Sequence, residues 1–407
     1  MATWFLVVIY LAFISLGLPD SMLGSAWPVI WPAIGASVGS AGILSMVVAG
    51  GTIVSSLLSG KLIQRLGTGK ITLISCCLTA SALLGFSAAP SLLWLALLAV
   101  PLGLGGGAVD AALNHYVAEN YKAHHMSWLH CFWGVGATTG PIIMSYFIAQ
   151  ANSWRGGYRT VSIIQFTLVL ILLLTLPLWK KIADRHRLEQ GQMEAGQEGV
   201  QQKDGSTVPV FRIKGVKNTL VTFLFYCGVE ATVGLWGASY LVGAKGIPAE
   251  TAAGWISLYY GGITVGRLIT GFITLKVHNR LLIRYGQLCS IAGGLILLLP
   301  LSDCFTLLGF ILLGLGFAPI YPGLLHETPA RFGRENSARL IGYQMAVAYT
   351  GTTFLPPLFG LIATKGSMTF FPMVVLVYVL FMLLNAEQVN RILRKQGHTV
   401  KRRAGHA

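Results

Sequence analysis

Asp20, Asp110 and Glu230 each stand inside a long apolar run. An ionised carboxylate at membrane depth is costly unless it is protonated, paired or facing water. The chain has 14 acidic residues among 407, so three of them at such depth point to proton handling along a transport path. Asp110 and Asn114 are spaced i, i+4, which puts both on one helix face where they can line one cavity. The plainer alternative for Asp110 is a structural acid that hydrogen-bonds between helices. Asp20 follows Pro19, which removes a helical hydrogen bond, so Asp20 serves either as the cap of a broken helix or as a substrate contact. His130 and Asp110 each lie ten residues from the centre of the turn at Asn120. In an antiparallel hairpin that spacing sets them at one depth, where an imidazole and a carboxylate tune each other's titration; the plainer alternative is that His130 lies near the cytoplasmic interface and hydrogen-bonds backbone. Arg267, inside an apolar run, either snorkels to the nearer surface or neutralises a carboxylate.

The elements that must position these residues are membrane spans. With 54% hydrophobic and 11% charged residues and 49 Gly, and a mean hydropathy of +0.67, the chain cannot be a soluble domain, whose charged share would be roughly a quarter. Runs of about 20 apolar residues suit a hydrocarbon layer about 30 Å thick. On that measure there are twelve, over 4–33, 41–63, 70–89, 91–118, 126–149, 160–179, 218–243, 252–275, 281–300, 304–325, 338–363 and 368–386. Of the 29 Lys and Arg, Arg155, Arg159, Lys245 and Lys365 fall between spans on one side, Arg267 falls inside a span, and the rest gather on the other side. Positive-inside bias therefore predicts both termini in the cytoplasm of a cell whose plasma membrane the chain crosses. The formal charge of +15 is then topological and implies no nucleic-acid partner. The first apolar run lacks a basic leader and a small-residue cleavage site, so no cleaved signal peptide is expected.

The chain divides once. A Gln, Glu, Gly, Lys and Arg-rich stretch over 180–216 reads as a cytoplasmic linker, flexible and with room for a short surface helix. It separates a six-helix bundle over 1–179 from a second over 217–388, followed by a basic cytoplasmic tail over 389–407. The halves echo each other: Asp20, Gly24 and Trp27 in span 1 answer Glu230, Gly234 and Trp236 in span 7, and Gly103-Leu-Gly105 in span 4 answers Gly314-Leu-Gly316 in span 10. The expected fold is all-α and polytopic, with twelve transmembrane helices in two pseudo-symmetric six-helix bundles, the plan of the major facilitator superfamily.

Further motifs carry the resemblance. Gly60-Lys-Leu-Ile-Gln-Arg65-Leu-Gly67-Thr-Gly-Lys70 resembles that superfamily's signature loop, with Gln64 where Asp is usual, and implies gating roles for Arg65, Gly67 and Lys70. Gly103-Leu-Gly105-Gly-Gly-Ala-Val-Asp110-Ala-Ala-Leu-Asn114 resembles span 4 of the fucose, galactose and glucose/proton symporters. Gly228-Val-Glu230 with Trp236 and Tyr240, Gly266-Arg267-Leu-Ile-Thr-Gly271 and Tyr321-Pro322 add to the likeness. The resemblance implies that Asp110 carries the proton and that Asn114 contacts sugar.

Sugar rings offer C–H faces to aromatic planes and hydroxyls to amides, so Asn114, Tyr321 and Gln344 join Trp27, Trp133, Trp236, Tyr240, Tyr259 and Tyr260 as carbohydrate candidates, against the default that each packs between helices. Trp4, Trp94, Trp128, Trp154 and Trp179 fall near span ends and read as interfacial anchors. The six cysteines are scattered without metal-ligand spacing, and no nucleophile and base pair or phosphate loop marks an enzyme. The sequence thus predicts a proton-coupled transporter of a sugar or related small metabolite, monomeric and needing no cofactor. Proton coupling falls to Asp110, Glu230 and His130, substrate contact to Asp20, Asn114, Trp27, Trp236, Tyr240, Tyr321 and Gln344, and gating to the signature loop with Arg267. The rival is proton-driven efflux: Gly136-Ala-Thr-Thr-Gly140-Pro141 resembles an antiporter element, although span 4 lacks the Arg those antiporters carry near Ala99.

Overall fold

Backbone groups in hydrocarbon have no water to bond, so each apolar run must close its hydrogen bonds within itself, and the helix does this. The computed structural model describes residues 2–121, 123–194, 210–274, 276–365 and 367–404. Its first half holds α1 (Ala2–Asp20), α2 (Met22–Ala33), α3 (Ser40–Leu66), α4 (Thr68–Ser87), α5 (Leu92–Asn120), α6 (Ala123–Ala151) and α7 (Trp154–Glu194). Its second half holds α8 (Val216–Lys245), α9 (Ala249–Ile273), α10 (Asn279–Leu298), α11 (Asp303–Phe317), α12 (Ile320–Phe332), α13 (Arg334–Lys365) and α14 (Phe371–Ala404). Among the described residues there are 12 segments long and apolar enough to cross a membrane, matching the expected spans in number and order. The pair α1 and α2 forms the first, and α11 and α12 the tenth.

Several boundaries differ from expectation for local reasons. The first span breaks at Ser21 between α1 and α2. Pro19 has no N–H for the Ser15 carbonyl, and Gln165 Nε2 of α7 donates to that carbonyl instead at 2.7 Å. The tenth span runs on to Phe332 and breaks at Ala318 and Pro319, where Pro319 and Pro322 withhold two amides from the ladder. The expected bundle and linker boundary at 179 falls inside α7, because the Lys, Arg, Glu and Gln-rich stretch after Trp179 is a good helix former. The boundary at 388 likewise falls inside α14. The linker over 195–209 and the last tail residues, 405–407, lie outside the described residues.

The halves repeat each other in packing. α1 packs on α6 as α8 packs on α13, α3 on α5 as α9 on α11, and α4 on α7 as α10 on α14. The glycine echoes sit at the contacts. A methyl group at Gly103 would overlap the Val48 carbonyl of α3, and one at Gly314 would overlap the equivalent Tyr259 carbonyl of α9. Gly105 faces the Ser75 carbonyl of α4 and Gly316 the Gly286 carbonyl of α10. Each bundle thus uses the first glycine of the triplet on one neighbour and the second on another, as small residues do where helices must approach closely.

The bundles meet along three helix pairs, from the end opposite the termini to mid-depth. α2 lies on α8 with Gly24 against the Gly234 carbonyl, α3 meets α13 at Gly39 with Gly360 and at Gly42 with Pro357, and α6 meets α9, where Ser145 Oγ donates to the Glu250 carbonyl at 2.7 Å. Gly314→Val should cost about 1–3 kcal/mol by overpacking and lower the melting temperature in detergent, whereas Gly271→Val, with open space around its Cβ position, should leave the melt nearly unchanged.

Candidate functional site

The charged residues of the spans gather between the bundles at mid-depth. Asp20, the last residue of α1, is exposed to this space, and its Oδ2 accepts the indole N–H of Trp133 on α6 at 2.8 Å. The guanidinium of Arg267, on α9 in the opposite bundle, lies 5.5 Å from the Trp133 ring centroid, a cation–π distance. Arg267 also pairs with Glu230 of α8 at 3.7 Å, with the two side chains 14% and 17% exposed, and bonds the Tyr226 phenol. Tyr226, one turn before Glu230 on α8, donates its hydroxyl to the Glu230 carboxylate. The Tyr259 hydroxyl of α9 donates to the Glu230 backbone carbonyl at 3.1 Å.

Asp110 and Asn114 share a face of α5 as their spacing predicts. Asn114 Nδ2 donates to Asp110 Oδ1 at 2.9 Å and to the Asp110 carbonyl at 3.0 Å. Asp110 lies close enough for its charge to act on Asp20 and, across the cleft, on Tyr321 and Tyr349. Tyr321, just past the break in the tenth span, stands 6.0 Å from the Tyr226 ring and directs its hydroxyl to the Met345 sulfur at 3.3 Å. Asp20, Asp110, Asn114, Glu230, Arg267 and Tyr321 therefore belong to one arrangement.

His130 does not join Asp110. Neither acts on the other's charge, and α5 packs on α3 and α4 while α6 packs on α1 and α9, so the legs of the hairpin go to different neighbours. His130 instead stands edge-on to Phe13 at 6.0 Å and within electrostatic reach of Arg267. Four proposed substrate contacts are also placed elsewhere. Trp27 donates its indole N–H to the Val38 carbonyl at 2.6 Å, Trp236 to the Pro356 carbonyl at 2.8 Å, and Tyr240 its hydroxyl to the Leu297 carbonyl at 2.9 Å. Gln344 bonds Thr328 at 3.0 Å. All four are buried, because a ring or amide on an apolar helix packs between helices once its polar tip finds a carbonyl or hydroxyl.

In the signature loop Gly67 takes φ +79, ending α3 and turning the chain into α4, a conformation that glycine adopts without steric penalty. Arg65 and Lys70 are exposed, and among the described residues neither forms an ion pair. Ion pairing at the termini end is found in the second bundle, where Arg284 grips Glu387 with two bonds of 2.7 Å and Arg331 pairs with Glu327 at 3.0 Å. The sequence reading passed over Tyr226 and Tyr349. The Tyr226 signal was present in its i, i+4 spacing to Glu230, whereas nothing local in the sequence marks Tyr349, which meets Ser56 across the bundle interface.

Two inverted or duplicated six-helix bundles with ionisable residues at mid-depth between them define a secondary transporter. Residues 9–347 match the Major Facilitator Superfamily, and the chain belongs to that family. Among curated relatives, it is 23% identical over 393 residues to Bypass of stop codon protein 6 of Saccharomyces cerevisiae, covering 89% of this chain and 77% of that one. It is 22% identical over 324 residues to the glucose/mannose transporter GlcP of Bacillus subtilis, covering 77% of each. Among solved structures, a peptide transporter matches with a TM-score of 0.73 at 14% identity, covering 95% of each chain. A D-xylose–proton symporter matches with a TM-score of 0.68 at 15% identity, covering 93% of this chain and 96% of that one. These neighbours share the transporter fold.

Removing one member of a largely buried ion pair leaves the other charge uncompensated. Arg267→Gln should cost about 3 kcal/mol, the low end of the usual range because both side chains keep some exposure. It should lower the apparent melting temperature, and adding Glu230→Gln should restore most of the loss, giving a strong coupling in the double-mutant comparison.

Proposed function

We propose that the chain is a proton-coupled secondary transporter that carries a sugar or related small polar metabolite by alternating access of its two bundles. The observation that carries this reading is the placement of Asp20 and Asp110 on one wall of a mid-depth cleft and of Glu230, Arg267 and Tyr321 on the other. An acid facing a cleft at membrane depth can take a proton from one side and give it to the other as the cleft changes its opening. Asp110 is the proton carrier in this reading, and Asn114, bonded to it, feels its protonation and offers amide groups to a hydroxyl. On this reading the termini lie in the cytoplasm, and bundle contacts that run from the far end to mid-depth correspond to an inward-facing state. The names of the relatives support a sugar: GlcP is a glucose/mannose transporter, and one structural neighbour is a D-xylose–proton symporter. The chain acts as a monomer in the plasma membrane, driven by the proton gradient without a cofactor.

The test is a pH measurement in lightly buffered cells expressing the protein. Adding the transported sugar should make the medium more alkaline. If no sugar moves protons and export of lipophilic cations collapses with the pH gradient, the chain is an efflux antiporter instead. Asp110→Asn should abolish gradient-driven accumulation while sparing substrate exchange, since a neutral isostere keeps the cleft's shape but cannot cycle a proton. Retained accumulation would remove Asp110 from the coupling role. Glu230→Gln should weaken apparent affinity for substrate while the pH dependence of uptake persists, because Glu230 is held by Arg267 and Tyr226.

A further inference from the structure

Trp133 touches charge in both bundles. Its indole N–H donates to Asp20 on α1, and its ring face carries Arg267 of α9. The backbone that carries Trp133 packs tightly on α1: Gly17 lies so close to the Trp133 carbonyl that a methyl group there would overlap it. Arg267 in turn holds Glu230, so an unbroken sequence of contacts runs Asp20, Trp133, Arg267, Glu230 from one bundle to the other. An indole that donates to an anion becomes more electron-rich on its face and attracts a cation there more strongly.

Resting on the transport reading above, we propose that Trp133 is a positioning residue that makes the contact between bundles depend on the charge of Asp20. While Asp20 is ionised, Trp133 is held by its N–H and holds Arg267 by its ring, and the bundles keep this arrangement. When Asp20 takes a proton, the bond from the indole weakens, the ring loses part of its hold on Arg267, and the bundles are freed to move. The groups that face Asp20 are Trp133 from α6, Asp110 from α5 and Tyr260 from α9. His130 on α6 faces Arg267, and α4 and α7 set no titratable group against Asp20 among the described residues. Asp110 repels a charge on Asp20, so its state must be followed in the same experiment.

The test uses the purified full chain and needs no substrate. Infrared difference spectra resolve the protonated carboxyl band that Asp20→Asn removes, while fluorophores introduced at the exposed Lys61 and Lys276 through unnatural amino acids report the distance between bundles. In the wild type the band and the distance should titrate with one midpoint. Trp133→Phe keeps a ring but deletes the donor, so the band should titrate about one pH unit higher, as expected for losing a hydrogen bond to a charged group, and the distance should no longer follow it. An Asp110→Asn background should leave the separation of the two midpoints in Trp133→Phe unchanged. Different midpoints in the wild type, or coincident ones in Trp133→Phe, would overturn the proposal, and the wild-type comparison stands even if the variant fails to fold. Failure to find sugar-driven proton movement alongside coincident titrations would sink the transport reading and spare the role of Trp133. The reverse pairing would do the opposite.

Discussion

A guanidinium cannot shed its proton, so one placed in mid-membrane must be compensated where it stands. Arg267 is such a residue, and much of the central architecture follows from its needs. Glu230 supplies the opposite charge, Tyr226 bonds both members of the pair, and Trp133 offers a π face from the other bundle. The Tyr259 hydroxyl, bonded to the Glu230 backbone carbonyl, ties α9 to α8 beside the pair. Snorkelling to the surface, the alternative open to Arg267 from its sequence position, is not what the structure shows.

That pair would be an ordinary structural ion pair if it lay inside one bundle away from the other. Its position at the interface comes from glycine. Gly24 and Gly234, each four residues beyond an acid, meet at the contact of α2 and α8, where the missing side chains let the helices close together. One helical turn from that contact stand Asp20 and Glu230, brought near the interface from opposite halves by the same spacing. The duplicated motif thus gives the molecule a close contact and, beside it, two facing acids with different surroundings. One is locked to Arg267; the other is exposed and held by an indole.

What the sequence made legible were features carried by local spacing. The spans follow from runs of apolar residues, the duplicated halves from the repeated acid and glycine motifs, and the bond between Asp110 and Asn114 from i, i+4 geometry. What it hid were features set by which helix meets which. Hairpin arithmetic sets Asp110 and His130 at one depth, yet α5 and α6 are packed by different neighbours. Trp27, Trp236 and Tyr240 lie on apolar helices, as Trp133 does, and their side-chain chemistry is of the same kind. Only the carbonyl that each reaches tells a packing residue from one beside a charge. The break at Ser21 was foreshadowed by Pro19, but the donor that satisfies the freed Ser15 carbonyl, Gln165, is 150 residues away.

The differing surroundings of the three acids argue for a division of labour under the proposed reading. Glu230 is paired with Arg267 and bonded by Tyr226, so its partners are already in place inside the second bundle. Asp20 and Asp110 have no basic partner among the described residues, and Asp110 lies close enough for its charge to act on Asp20. Like charges this close repel, so a cation brought nearer to the two aspartates stabilises both. A cation that touches this wall is Arg267, reached from Asp20 through Trp133. Under the proposed reading, coupling then depends on the distance between Arg267 and the two aspartates, which is the distance that a movement of one bundle against the other alters.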